Sequence, residues 1–89
     1  MKTANEVMIL LFQSQIDSLI YENANHSICI KRLETIASKF PIGSYDYNIV
    51  KAAIDELKSK EIDNTQKVLG LSDMLGDVKK DGEKSEKNH

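Results

Sequence analysis

The chain has 89 residues, a formal net charge of −2 and 40% hydrophobic residues. This length accommodates a single domain, and the composition is typical of a globular protein. The near-neutral charge argues against the non-specific phosphate binding of basic proteins, and no apolar run is long enough for a membrane span. Because there is one cysteine and Glu6 precedes the first apolar run, we expect no internal disulfide, no secretory leader and a cytoplasmic location.

The first predicted helix covers residues 4–22. Thr3 and Glu6 form a capping-box pattern at its start, in which the threonine hydroxyl accepts from the Glu6 amide. An arc of about 120° then collects apolar residues at helical spacing, which predicts a stripe facing a core. Its members are Met8, Ile9, Phe12, Ile16, Leu19 and Ile20. The polar run that follows, residues 23–27, predicts a loop.

A second helix is predicted over residues 28–40 and a third over 45–62. The second ends before Pro41, because proline disfavours helical geometry at the residue that precedes it. Ser44 or Asp46 is the expected N-cap of the third helix, since short polar side chains accept hydrogen bonds from the free amides of a first turn. Apolar residues lie along one side of each helix, as in an amphipathic element.

The C-terminal third of the chain gives weaker signals. A fourth helix over 65–78 is expected to be of uncertain order, because Gly70 and Gly76 each cost about 1 kcal/mol relative to alanine. Residues 79–89 have no large apolar side chain and predict a disordered charged tail. No alternation of period two occurs. The predicted architecture is therefore all-α, with three amphipathic helices in a small bundle, one helical domain over 1–78 and a tail.

Residues with catalytic or metal-binding chemistry are few. The histidines are His26, in the predicted loop, and His89, at the end of the predicted tail. Cys29 lies on the apolar side of the second predicted helix, where burial makes a thiol inert, so we assign it a packing role. A zinc site needs three or four converging ligands. We predict no catalytic residue, no metal site and no cofactor.

The first predicted helix carries more apolar surface than one core stripe requires. A second group lies on roughly the opposite side of the helix, and exposed apolar patches of this kind mark partner surfaces. The fourth helix could cover this group from within the chain, whereas a homodimer or another protein partner could cover it from outside. Both coverings remain open at this point. The predicted interface residues are Val7, Leu10, Leu11, Ser14 and Tyr21.

The order of predicted elements over residues 33–62, a helix, a turn and a second helix, is also typical of a helix-turn-helix motif. Nucleic-acid contacts would then fall to Arg32, Lys51 and Lys58. However, acidic residues offset the lysines on the helix that would enter the groove, and the only arginine, the commonest reader of guanine, lies on the preceding helix. DNA binding is therefore an alternative that we do not favour.

Four runs follow one another in a recognisable order: Ile16–Ile20, Asn23–Asn25, Ser27–Glu34 and Ile49–Asp55. This order resembles the small enterobacterial biofilm-development and acid-resistance regulators, also called two-component-system connector proteins. The resemblance covers a little over half of the chain. It implies a cytoplasmic all-α dimer that modulates a signalling phosphorelay or transcription and has no catalytic activity of its own.

Together these observations lead us to expect a small, non-enzymatic bacterial regulator or adaptor. We expect it to act through helix-mediated homodimerisation and binding of a protein partner, without a membrane or a cofactor. The alternatives are a DNA-binding helix-turn-helix regulator and, from another class, a secretion chaperone or a phage-encoded inhibitor, which would share the exposed apolar helix face.

Overall fold

The computed structural model describes residues 3–87, and their side chains as far as residue 81. Two α-helices, α1 (Ala4–Ala37) and α2 (Tyr45–Lys87), are joined by residues 38–44. They run antiparallel along each other as an extended hairpin of 69 × 20 × 12 Å. No strand occurs in the described part of the chain, which confirms the all-α class.

The prediction of three helices in a bundle is wrong. α1 joins the predicted helices 4–22 and 28–40 through the polar run 23–27, which was expected to be a loop. α2 likewise begins where the third helix was predicted but continues past residue 62 and through the weak segment 65–78. The molecule therefore has one helix–helix interface rather than the three of a bundle.

A seven-residue pattern of buried positions explains why α1 is uninterrupted. The side chains of α1 that are buried or half-buried alternate at spacings of three and four, as in a coiled coil. We call these positions the seam of α1: Asn5, Ile9, Phe12, Ile16, Leu19, Asn23, His26, Ile30, Leu33 and Ala37. The polar run 23–27 supplies two seam residues, Asn23 and His26, at the same spacing. The helix continues through this run because the seam residues before and after it face α2.

α2 has a matching seam with the same alternation. It consists of Tyr47, Val50, Ile54, Leu57, Glu61, Asn64, Val68, Leu71, Leu75 and Val78. Gly70 and Gly76 lie between these positions, and neither interrupts them. Burial of the apolar seam residues on either side offsets the roughly 1 kcal/mol helix penalty of each glycine. This offset accounts for the long helix in a segment that local propensity made uncertain.

The end of α2 also differs from the prediction. The helix continues to Lys87, so it includes the described part of the segment 79–89, for which a disordered tail was predicted. Lysine and glutamate, which are frequent here, are good helix formers. Asn88 and His89 lie outside the described residues. The division of the chain into a domain over 1–78 and a separate tail stays a prediction.

The helix caps predicted at Thr3 and Ser44 are confirmed. The Glu6 amide donates to Oγ1 of Thr3 at 3.2 Å at the start of α1. The Tyr47 amide donates to Oγ of Ser44 at 3.2 Å, so Ser44 caps α2. Between the helices, Gly43 has φ of 85°, a conformation that a residue with a side chain rarely adopts. These local signals fix where each helix begins and where the chain reverses.

The most densely packed part of the seam lies near this reversal. Ile30, Ala37 and Ile54 form a buried cluster there. Half-buried hydrophobic residues pack against the cluster: Leu33, Tyr47, Val50 and Leu57. In the opposite, open half of the hairpin, Phe12 is the one hydrophobic side chain that reaches the same degree of burial among the described residues. The hairpin is thus better packed at its loop end than at its open end.

This difference leads to a stability prediction. Ile54→Ala is expected to lower the free energy of unfolding by about 2–5 kcal/mol, because it removes buried methyl groups and leaves a cavity. Urea denaturation followed by far-ultraviolet circular dichroism measures the loss. Ile49→Ala on the same helix is the control, since Ile49 is 53% exposed and its truncation should change stability by only about 0.5 kcal/mol. Equal losses in the two variants would contradict the packing described here.

Candidate protein-interaction site

The candidate site is a patch on the side of α1 that faces away from α2. We call it the outer face of α1 and define it as Val7, Leu10, Leu11, Ser14 and Tyr21. These positions fall between the seam residues of α1, so the coiled-coil phase directs them to the surface. The four large side chains are each between 49% and 70% exposed. The structure thus brings all five residues of the predicted interface onto one accessible face.

The later part of the chain does not cover this face. The apolar residues of the predicted fourth helix, Val68, Leu71 and Leu75, are seam residues of α2 and are themselves half-buried. They lie along the opposite side of α1, where Phe12 is buried. Among the described residues, the outer face of α1 therefore remains open after α2 has packed.

Sequence reasoning missed one neighbour of this face. Ile28 is 52% exposed and lies seven residues after Tyr21, on the same line along the helix. The seven-residue spacing between Tyr21 and Ile28 indicates that they share one side of a helix. The sequence analysis missed this relation because the predicted loop over 23–27 placed Ile28 in a different helix. With α1 continuous, the apolar line extends one heptad further toward the loop end.

Two residues assigned to the core stripe are instead exposed. Met8 is 39% and Ile20 is 54% exposed. A two-helix coiled coil buries a narrow seam, whereas the predicted bundle required a wider stripe. Met8 and Ile20 flank the seam on opposite sides and widen the apolar surface around the open half of the hairpin.

A shallow groove between the two helices adjoins this surface. Its volume is about 550 Å³, and it is lined by Gln15, Ser18, Leu19, Lys67, Gly70, Leu71 and Met74. At Gly70 the groove has no side chain, and a Cβ placed there would meet nothing within 4 Å. Small residues on both helices thus open the surface beside the outer face of α1.

A polar layer interrupts the apolar seam near the middle of the hairpin. The Asn64 side-chain amide donates to Oδ1 of Asn23 at 3.1 Å. In turn, Nδ2 of Asn23 donates to the Glu61 carbonyl oxygen at 3.3 Å and to Oγ1 of Thr65 at 3.4 Å. Asn64 is 6% exposed, so this pairing takes place away from solvent. Buried asparagines in coiled-coil seams fix the register of the two helices.

The neighbouring seam residues, His26 and Glu61, are less well satisfied. Nε2 of His26 lies 3.7 Å from Oε1 of Glu22 on the same helix. Nδ1 of His26 and Oε1 of Glu61 are both buried and have no hydrogen-bond partner among the described protein atoms. Buried polar atoms without partners cost free energy. This layer therefore specifies alignment more than it adds stability.

The predicted packing role of Cys29 is wrong, because the residue is exposed. The phase of the continuous helix places it beside the seam, next to Ile30, rather than in it. In the residues that the structure describes, no group of three histidine, cysteine or acidic side chains is arranged to hold a metal ion.

The residues named for the DNA-binding alternative do not form one basic surface. Lys51 Nζ lies 3.2 Å from Asp55, and Lys58 Nζ lies 3.9 Å from Glu34. Arg32 is an exposed residue of α1. A helix-turn-helix motif crosses its helices at a steep angle, whereas residues 33–62 here form an antiparallel turn of one hairpin. The predicted motif is therefore absent from this region, and DNA contact itself stays a prediction.

Comparison with known proteins adds no relatives. No family model, curated protein or solved structure matches the chain. The resemblance to connector proteins therefore stays a prediction. Neither described helix combines the length and the apolar character that crossing a membrane requires.

The polar layer yields a double-substitution prediction. Asn64→Ala is expected to destabilise the hairpin by about 1–3 kcal/mol, because it leaves Oδ1 of the half-buried Asn23 without its hydrogen-bond donor. Replacing both Asn23 and Asn64 by leucine is expected to restore stability to the wild-type level or above, since neither polar group then remains buried. Urea denaturation measures both variants. A double variant less stable than Asn64→Ala would show that the asparagines do not act as a pair.

Proposed function

We propose that this protein is a non-enzymatic interaction module that binds another polypeptide through the outer face of α1. The observation that carries the proposal is the group of four large apolar side chains on this face, each about half exposed or more after α2 has packed. The largest exposed apolar patch of a protein is often a functional surface. Tyr21 suits an interface because it joins a large apolar ring to a hydroxyl group.

The thin core supports the same proposal. Four hydrophobic residues of the described chain are buried, and none has an exposed fraction below 2%. Burial of apolar surface contributes about 25 cal/mol per Å², so a single helix–helix interface supplies limited stabilisation. Binding on the outer face of α1 would add a second interface to the same helix and would stabilise the hairpin.

The biological role that fits such a surface is that of a regulator or adaptor, which acts by occupying a partner. We extend the proposal to modulation of a bacterial signalling phosphorelay or of transcription in the cytoplasm, on the strength of the resemblance to connector proteins. A secretion chaperone or a phage-encoded inhibitor would use the same surface, and the identity of the partner separates these roles. No contact in the described hairpin favours DNA binding as a second candidate.

The proposal predicts that charge on the outer face of α1 abolishes binding without unfolding the protein. Val7→Asp combined with Leu11→Asp is the test variant, because both side chains are about half exposed and outside the seam. The tagged full chain and the variant are compared by cross-linking and co-purification from the host. We expect the polypeptide bound by the wild type to be lost from the variant, whose helical circular dichroism is retained.

The matched control carries the same charge change on the other helix. Ile62→Asp with Leu69→Asp alters side chains that are 60% and 62% exposed on α2. Retention of the bound polypeptide by this control assigns binding to α1. If the α1 variant keeps its partner, the proposed surface is wrong, and if the variant unfolds, the outer face belongs to the core.

A further inference from the structure

We propose that the groove between α1 and α2 in the open half of the hairpin binds a small amphiphilic carboxylate of the medium-chain fatty acid type. The alkyl chain lies along the apolar floor of the groove, and the carboxylate lies at Lys67. This inference goes beyond the proposed function, because it concerns a small molecule and a site between the helices. It follows from the lining of the groove, its width and its charge.

The floor of the groove is apolar. Leu19 and Leu71 are half-buried seam residues that form its base, and Met74, which is 50% exposed, borders it on α2. At Gly70 the lining has no side chain, so the floor is open there. The volume of about 550 Å³ is within the range of small-molecule sites, which combine a mainly apolar lining with a few polar groups.

The apolar path continues from the groove toward the open end of the hairpin. Met8 and Leu11 precede Gln15 and Ser18 by seven residues, so the helical phase places them on the same side of α1. Met8 is 39% and Leu11 is 49% exposed. An elongated apolar ligand can therefore extend beyond the groove along these two side chains.

The width of the groove favours a single alkyl chain over a helix of another protein. Lys67 and Met74, at its two ends on α2, are seven residues apart, which is about 10 Å along the helix. Spread over that length, the volume of about 550 Å³ corresponds to a cross-section of roughly 50 Å². An α-helix with its side chains needs roughly twice this cross-section. A helix would rest on the rim of the groove, whereas an alkyl chain enters it.

The charge of the lining favours an anionic head group. Lys67 is the single charged residue that lines the groove. In the described part of the chain, the lysines that form ion pairs with carboxylates are Lys51, Lys58 and Lys60. Lys67 is exposed and is not among them. One positive charge beside an apolar floor is complementary to one negative charge at the end of an alkyl chain.

Neighbouring polar groups are compatible with this assignment. Gln15 and Ser18 line the α1 side of the groove, and neither side chain donates a hydrogen bond within the described chain. Their amide and hydroxyl groups are donors that a carboxylate can accept from. Asp63 and Asp77 lie seven residues before and after Gly70, and neither lines the groove.

Titration of the isotope-labelled full chain with sodium decanoate, followed by amide chemical shifts at pH 8, tests the binding. A ligand of this size is expected to have a dissociation constant of roughly 1 mM or below. Decyltrimethylammonium, of similar chain length and opposite charge, is expected to bind about fivefold more weakly or less. Absence of decanoate binding, or equal affinity for the two probes, would overturn the inference.

Substitution of the two glycines of α2 separates the groove from the rest of the surface. A Cβ at Gly70 or Gly76 would meet nothing within 4 Å, so Gly70→Leu and Gly76→Leu should both retain helical circular dichroism. Only Gly70 lines the groove. Gly70→Leu is therefore expected to weaken decanoate binding about tenfold by filling the floor, and Gly76→Leu is expected to bind as the wild type does. Equal affinities of the two variants would contradict the proposed site.

The charge is tested by a second matched pair. Lys67→Gln is expected to lower the affinity for decanoate about fivefold, whereas Lys51→Gln, with the same change in net charge outside this groove, should leave it unchanged. Equal losses in the two variants would show a response to net charge and would overturn the assignment of the carboxylate to Lys67.

The chemical shifts of the wild type locate the ligand without any substitution. The largest changes are expected at Ser18, Gly70 and Met74, and a maximum near the exposed Tyr45 at the loop end would overturn the inference. The groove would belong to a partner polypeptide instead if decanoate left these shifts unchanged while Gly70→Leu abolished partner capture.

Discussion

The hydrogen bond between Asn23 and Asn64 holds the two helices at one alignment, and the surfaces of the molecule follow from that alignment. Apolar seam residues alone are interchangeable, since a slip by one heptad would still bury leucine against isoleucine. The asparagine pair is not interchangeable, because a slip would leave two amides buried without partners. Counting away from this pair in opposite directions along the helices places Phe12 opposite Leu75 and Ile30 opposite Leu57.

Once the seam is fixed, the remaining sides of each helix have distinct properties. α1 is poor in charge from Val7 to Tyr21, whereas α2 carries a charged residue in most turns. A two-helix hairpin buries only the facing sides, so the difference in charge is expressed directly at the surface. α2 presents charged residues interspersed with exposed apolar ones such as Ile62 and Leu69, whereas α1 from Val7 to Tyr21 presents a side with almost no charge. The outer face of α1 is therefore exposed because the hairpin has a single helix–helix interface, whereas the apolar residues of α1 would suit two.

The sequence predicted where both helices begin and most of the seam, but not the continuity of the helices or the end of α2. Thr3 and Ser44 were found because a cap involves neighbours within three residues. Residues 23–27 were misinterpreted because asparagine, histidine and serine favour loops when judged locally. The partners that make Asn23 compatible with a helix lie about forty positions away, at Glu61, Asn64 and Thr65. The unbroken spacing from Leu19 through Asn23 and His26 to Ile30 was the available signal.

The position of the outer face suggests how binding and folding are connected. The buried cluster of Ile30, Ala37 and Ile54 lies near the loop, and beyond the polar layer the open half depends mainly on Phe12. The outer face lies on that same open half. A molecule that binds there stabilises the folded state by mass action, and it does so on the helix segment with the thinnest core. The half of the hairpin that gains most from a partner is thus the half that carries the surface for one.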